Sequence, residues 1–302
     1  MEQTRSGFKK SSIQSIIALK LKQWVETITD EPLRDRILHD CIVTGGAITS
    51  MLLGQMPNDY DVYFKSQNVA IDVVNYYIKA LVKTEKVSDI SAVAETDGSV
   101  SVRIKSAGVA FGEQDFSNYE YFEFGDPARL AEYFKNPKMN QPIPYHPVAI
   151  SSNAITLFDG IQIITRFTGD PERIHTNFDF MHCTNYYTNQ TGVVYNQPAL
   201  EATLTKELRY VGSKFPICSL FRIRKFVARG WTITAGEVFK IAFDVSKLDL
   251  TDRTVLEQQL IGVDQAYFGE VISILNKQSE KALDRTYLFE LVSRVFDKMP
   301  RE

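Results

Sequence analysis

Between Thr44 and Tyr63 the chain reads T-G-G-A-I-T-S-M-L-L-G-Q-M-P-N-D-Y-D-V-Y: a glycine pair, a short helix-compatible run, and two aspartates one residue apart. Cys41 to Thr44 is short, apolar and β-branched, the composition of a buried strand. Gly45-Gly46 then lets bare backbone turn tightly and approach a ligand. Ala47 to Leu53 suits a helix with Met51, Leu52 and Leu53 towards a core, ended by Gly54 and followed by Pro57. Gly46 is thus expected near a helix N-terminus, where orphan amides favour anions such as phosphate. Asn58 to Phe64 resumes as a strand. Alternation places Asp59 and Asp61 on one face and Tyr60 and Val62 on the other, and two carboxylates so placed suit divalent cations. The competing reading of the same residues is a plain turn followed by two solvent-facing carboxylates on an edge strand.

The remainder of the composition narrows the setting. With 302 residues, 44% hydrophobic and 24% charged, the chain can bury a sizeable core as one large domain or two smaller ones. A net charge of -3 supplies no global cationic field, so any nucleic-acid contact must come from a local patch. Cys41, Cys183 and Cys218 are far apart and form no C-x-x-C pair. That spacing argues against a zinc site or disulfide framework and fits a reducing cytosol. No apolar run approaches the roughly 18 residues of a membrane span, so the expectation is a cytoplasmic protein with no membrane partner.

Periodicity orders the rest. Residues 12 to 39 read as helix, with a restart at Pro32, and Ala70 to Lys83 reads as an amphipathic helix. Asp97-Gly98 and Asp159-Gly160 mark two hairpins, over residues 93–111 and 153–167. The stretch 112–150 reads as an insertion with a short helix at Pro127 to Phe134. Asn177 to Cys183 is expected as a strand with Asp179 among apolar neighbours, a costly placement unless the carboxylate is paired or metal-bound. From about residue 200 the chain turns helical: 199–209, 217–229, 235–243, 252–261, 265–275 and 281–296. Of the histidines, His39 and His146 look incidental, His175 lies in a polar turn, and His182 reads as a packed core residue.

Gly45 to Val62 resembles the signature of the DNA polymerase β-like nucleotidyltransferase superfamily. Within it the segment resembles the bacterial poly(A) polymerase and CCA-adding tRNA nucleotidyltransferase family, where G-G-x-V-R-D-x-L-L-G leads to D-x-D. The glycine pair, Leu52-Leu53-Gly54, Pro57 and Asp59-x-Asp61 fall in register, whereas Thr49 and Ser50 stand in place of Arg-Asp. Ile161 to Arg166 resembles the family strand that bears a third carboxylate, but Gln162 occupies that place. Asp179-Phe180 resembles the start of the family's R-R-D-F segment, and Leu220 to Ile233 resembles its L-R-x-x-R-F-A-A-R-x-G-F-x-I stretch. An I-Q-I strand followed by F-D-F is also similar to phage-encoded nucleotidyltransferases.

The resemblance implies an α+β fold: a polymerase β-like palm of mixed sheet and flanking helices over residues 1–200, with an insertion near 84–150, followed by a helical domain over 201–302. It implies transfer of a nucleoside monophosphate from an NTP to an acceptor hydroxyl, with two Mg²⁺ or Mn²⁺ ions on Asp59, Asp61 and Asp179. Gly45, Gly46 and Thr49 or Ser50 are then phosphate contacts. Arg222, Lys225 and Arg229 share a helix face suited to a triphosphate or an acceptor backbone; a solvated basic face is the alternative, as a purely structural role is for Asp179. The implied acceptor is an RNA 3′ end of tRNA type, in a bacterial or phage-infected host cytosol. The alternatives are nucleotidylation of a protein or small molecule, or a non-catalytic nucleotide-binding or interaction module.

Overall fold

The computed structural model describes residues 7–84, 90–104, 144–150 and 154–250, with positions 252, 255 and 259. The chain divides into two compact units, Met1–His175 with His182–Thr203, and Thr176–Met181 with Leu204–Glu302. Most of the expected insertion, including the helix at 127–134, and the last expected helices fall outside the described residues.

The first unit is α+β. Helix α1 (Lys10–Glu26) buries Ile13, Ile17, Leu21 and Trp24 along one stripe. Helix α2 (Glu31–Asp40) starts where expected because the Asp30 side chain accepts from the Leu33 N–H at 3.1 Å, with proline in the first turn. Strands β1 (Cys41–Thr44) and β2 (Tyr60–Phe64) bracket the seven-residue helix α3 (Gly46–Leu52), and helix α4 (Gln67–Thr84) follows. The Trp24 ring N–H donates to the Tyr77 hydroxyl at 2.7 Å, joining α1 to α4 where both side chains are buried. Loss of that indole would cost about 3–5 kcal/mol.

The two Asp-Gly hairpins form as expected. Strands β3 (Ile90–Ala94) and β4 (Val100–Ile104) make a separate two-stranded sheet. Strands β6 (Ala154–Leu157) and β7 (Ile161–Thr168) join the main sheet beside β5 (Pro147–Ile150). After helix α5 (Pro171–His175), β8 (Tyr186–Thr188) and β9 (Gly192–Val194) complete a seven-stranded sheet of order β5-β6-β7-β2-β1-β8-β9. The β2–β7 pair is parallel and the remaining pairs antiparallel, so the sheet is mixed. Strand β2 is central, which removes the edge-strand reading of its aspartate.

Helix α6 (Gln197–Thr205) leads into the second unit. There strands β10 (Glu207–Leu208) and β11 (Thr232–Ile233) pair in parallel around helix α7 (Pro216–Ala228), and helix α8 (Ala235–Ser246) follows. The α8 start is capped by Thr234, whose hydroxyl accepts from the Glu237 N–H, in the T-x-x-E pattern of a capping box. Phe180, Tyr210, Phe226 and Trp231 pack edge to face, linked Phe180–Tyr210, Phe180–Phe226 and Phe226–Trp231. The expected strand at 177–183 does not form. Phe180 makes one antiparallel bridge to Tyr210, and Met181–Cys183 then closes into a single 3-10 turn.

Candidate functional site: a glycine loop beside a carboxylate strand

Gly45 carries φ +100° and ψ -145°, an essentially glycine-only conformation that costs an L side chain about 1–3 kcal/mol. A Cβ there would also lie 2.7 Å from Oδ2 of Asp61. Glycine is therefore required twice, by the backbone and by the carboxylate laid against it. A Cβ on Gly46 would meet nothing within 4 Å, so the start of α3 opens onto free space. The loop is held from one side: the Gly45 N–H donates to the Cys183 carbonyl at 3.1 Å, and the Thr44 hydroxyl lies 2.9 Å from the Asn185 carbonyl.

Asp61 is half-buried on β2, and the register places Gln162 of β7 directly beside it. Equivalent residues of neighbouring strands share a face, so the neutral amide stands where the superfamily resemblance leads one to look for a third carboxylate. Asp59 precedes β2 by one residue and is exposed, while the intervening Tyr60 is buried. The oxygen-bearing side chains on and next to this strand pair are Asp59, Asp61 and Gln162, of the hard type that Mg²⁺ and Mn²⁺ accept. Among the described residues no three His, Cys, Asp or Glu side chains gather in a ligating group. The residues fit one divalent cation with water or phosphate oxygens filling its other positions; a second ion would depend on oxygens from the nucleotide.

Two of the expected contact residues have partners within the protein. Thr49 is buried, and its hydroxyl donates to the His182 carbonyl at 2.7 Å. Ser50 is half-buried on the same helix. Asp179 belongs to the second unit, where its buried carboxylate meets the Arg222 guanidinium at 2.6 Å. The cost of an acidic group among apolar neighbours is thereby met by a cation from the protein itself. Arg222 is in turn occupied by Asp179, while Lys225 and Arg229 of the expected basic face are exposed.

His175, passed over as part of a polar turn, is a working part of the loop's support. Its Nε2 lies 2.8 Å from the Thr44 hydroxyl, and burial pushes the imidazole down to about 4. A neutral ring with Nε2 protonated satisfies the geometry, donating to Thr44 while Thr44 donates to a carbonyl. The β8–β9 hairpin was not among the expected elements; the signal that could have found it is the strand-forming Tyr186-Tyr187-Thr188 followed by the Asn189-Gln190-Thr191-Gly192 turn.

Several solved structures are similar to the whole. The Thermotoga maritima CCA-adding enzyme complexed with tRNA-CCA matches at 11% identity and a TM-score of 0.40, over 93% of this chain and 56% of that one. The Bacillus stearothermophilus CCA-adding enzyme in complex with CTP matches at 14% identity and a TM-score of 0.39, over 84% and 48%. The chain thus spans about half the length of these enzymes. No curated protein matches the sequence. A family profile does match it, over residues 15–206, which is more than half of the chain and takes in both the glycine loop and the carboxylate strand. The chain belongs to the Gabija anti-defense 2 (Gad2) family.

Proposed function

We propose that this anti-defense family member transfers a nucleoside monophosphate from an NTP to a hydroxyl on a component of the Gabija system, releasing pyrophosphate. The observation that carries the reading is the carboxylate of Asp61 laid against the bare backbone of Gly45, beside the open start of α3. Asp59 and Asp61 hold a divalent cation, with Gln162 as a neutral neighbour. When bound, that cation offsets charge on the triphosphate and favours ionisation of the acceptor hydroxyl. Gly45 and Gly46 keep the loop free of side chains so that phosphate oxygens can approach the main chain at the start of α3, while the Gly45 N–H itself stays on the Cys183 carbonyl. Asp179 acts as the partner of Arg222, and the cation is assigned to the first unit alone.

The family's description as anti-defense supports a Gabija component as the acceptor in place of the RNA 3′ end that the superfamily resemblance implies. Transfer to RNA is the second reading, supported by the exposed Lys225 and Arg229 at the end of α7. The test incubates the chain and Mg²⁺ with α-labelled NTPs and either purified Gabija proteins or total RNA. The expected result is label on a Gabija protein that disappears with Asp59→Ala and Asp61→Ala. Label on RNA alone selects the second reading, and nucleotide binding without label on either selects a non-catalytic module.

A further inference from the structure

The sequence offers two Asp-Gly turns of the same kind, but they are packed differently. At Gly98, with φ +90°, a Cβ would meet side chains, Nη2 of Arg173 at 2.9 Å and Oγ1 of Thr168 at 3.4 Å. At Gly160, with φ +76°, it would meet main chain: the Asn58 carbonyl oxygen at 2.3 Å and Cα of Asp59 at 3.5 Å. The Gly160 carbonyl also accepts the Tyr60 N–H at 2.7 Å. One turn leans on a movable arginine, whereas the other grips the backbone on both sides of Asp59. The same turn is tied electrostatically to α1. The charge of Asp159 acts on the half-buried Lys20 amine, which lies 5.8 Å from the Tyr60 ring and 5.1 Å from the Tyr145 ring.

We propose that Gly160 is a positioning residue for Asp59: the β6–β7 turn fixes where that carboxylate stands relative to Asp61. The proposal rests on reading Asp59 and Asp61 as the cation ligands. Asp59 lies outside the ladder of β2, so the regular strand does not place it, and the Gly160 contact does. A side chain at 160 would drive the Asn58 carbonyl back by about 1 Å to reach ordinary contact distance. A ligand must be held within about 0.5 Å of its productive position. The loss therefore appears in cation affinity before it appears in folding.

The test is Mn²⁺ titration of the full chain without nucleotide, read by the free-ion electron paramagnetic resonance signal. Asparagine tolerates the left-handed backbone, so Gly98→Asn and Gly160→Asn both keep their turns and differ in what the new Cβ strikes. Gly160→Asn is expected to weaken Mn²⁺ binding at least ~10-fold, with Gly98→Asn matching the unmodified chain. A one-glycine insertion after Asp159 releases the grip without a clash and is expected to weaken binding likewise, which covers a Gly160→Asn chain that fails to fold. Unchanged affinity in the insertion variant, or in a folded Gly160→Asn, overturns the positioning role and leaves the cation reading standing. An unmodified chain that binds no Mn²⁺ overturns both.

Discussion

Asp61 and Asp179 are both aspartates set among large apolar neighbours, and the chain surrounds them in opposite ways. Asp61 sits near the start of a central strand, with the bare backbone of Gly45 against one oxygen and Gln162 beside it. Asp179 sits just before a one-residue bridge and is buried against Arg222 at 2.6 Å. A carboxylate matched to a protein guanidinium is a structural joint. A carboxylate set against a glycine loop, with a second aspartate two residues before it, is the pair to which the proposed cation is assigned. Sequence spacing alone makes the two look equivalent, and their surroundings separate them.

The sharpest way to break the comparison is substitution of the first pair. Asp61→Ala should lower nucleotidyl transfer by about 1000-fold or more, several kcal/mol of lost charge stabilisation. Its melting temperature should stay within a few degrees of the parent, as scanning calorimetry would show. The support under the glycine loop gives the next effect. His175 titrates at about 4 in the fold and near 6.5 unfolded. Between those values the unfolded chain binds more protons, so stability falls as pH drops from about 6.5 towards 4. After allowance for partial exposure the loss is on the order of 2 kcal/mol. Urea midpoints across that range should show the slope, and His175→Gln should flatten it.

Smaller effects probe the joint itself. Arg222→Ala strands the buried Asp179 carboxylate and should cost about 1–2 kcal/mol of stability in urea unfolding, below the figure for fully buried pairs because Arg222 is partly exposed. Transfer measured on the folded fraction should be little changed. Thr49→Val removes the bond to the His182 carbonyl and should cost about 1 kcal/mol, with the KM for NTP unaltered. A large KM increase would return Thr49 to the phosphate contacts.

Much of the first unit was legible because its signals are local. The Asp30-Glu31-Pro32 start, the glycine pair and the two Asp-Gly turns each dictate backbone within a few residues, and each element formed near its expected bounds. Asp179 was misplaced on a regular strand because alternation over seven residues looks the same whether a ladder continues or stops after one bridge. What stopped it is nonlocal: the Met181 N–H donates to the Arg209 carbonyl and the Val211 N–H donates to the Asp179 carbonyl. The inward turn of Thr49 was hidden for the same reason, since its acceptor lies 133 residues away. Local chemistry announces turns and caps, whereas the partner of a polar side chain is set by which distant backbone passes by.

In the proposed arrangement the cation belongs to Asp59 and Asp61, and Asp179 belongs to Arg222. Mn²⁺ titration of Asp61→Asn beside Asp179→Asn tests it most directly, since both changes remove one charge and keep the side-chain shape. Binding is expected to be lost in Asp61→Asn and retained in Asp179→Asn. Retention in the first with loss in the second would contradict it.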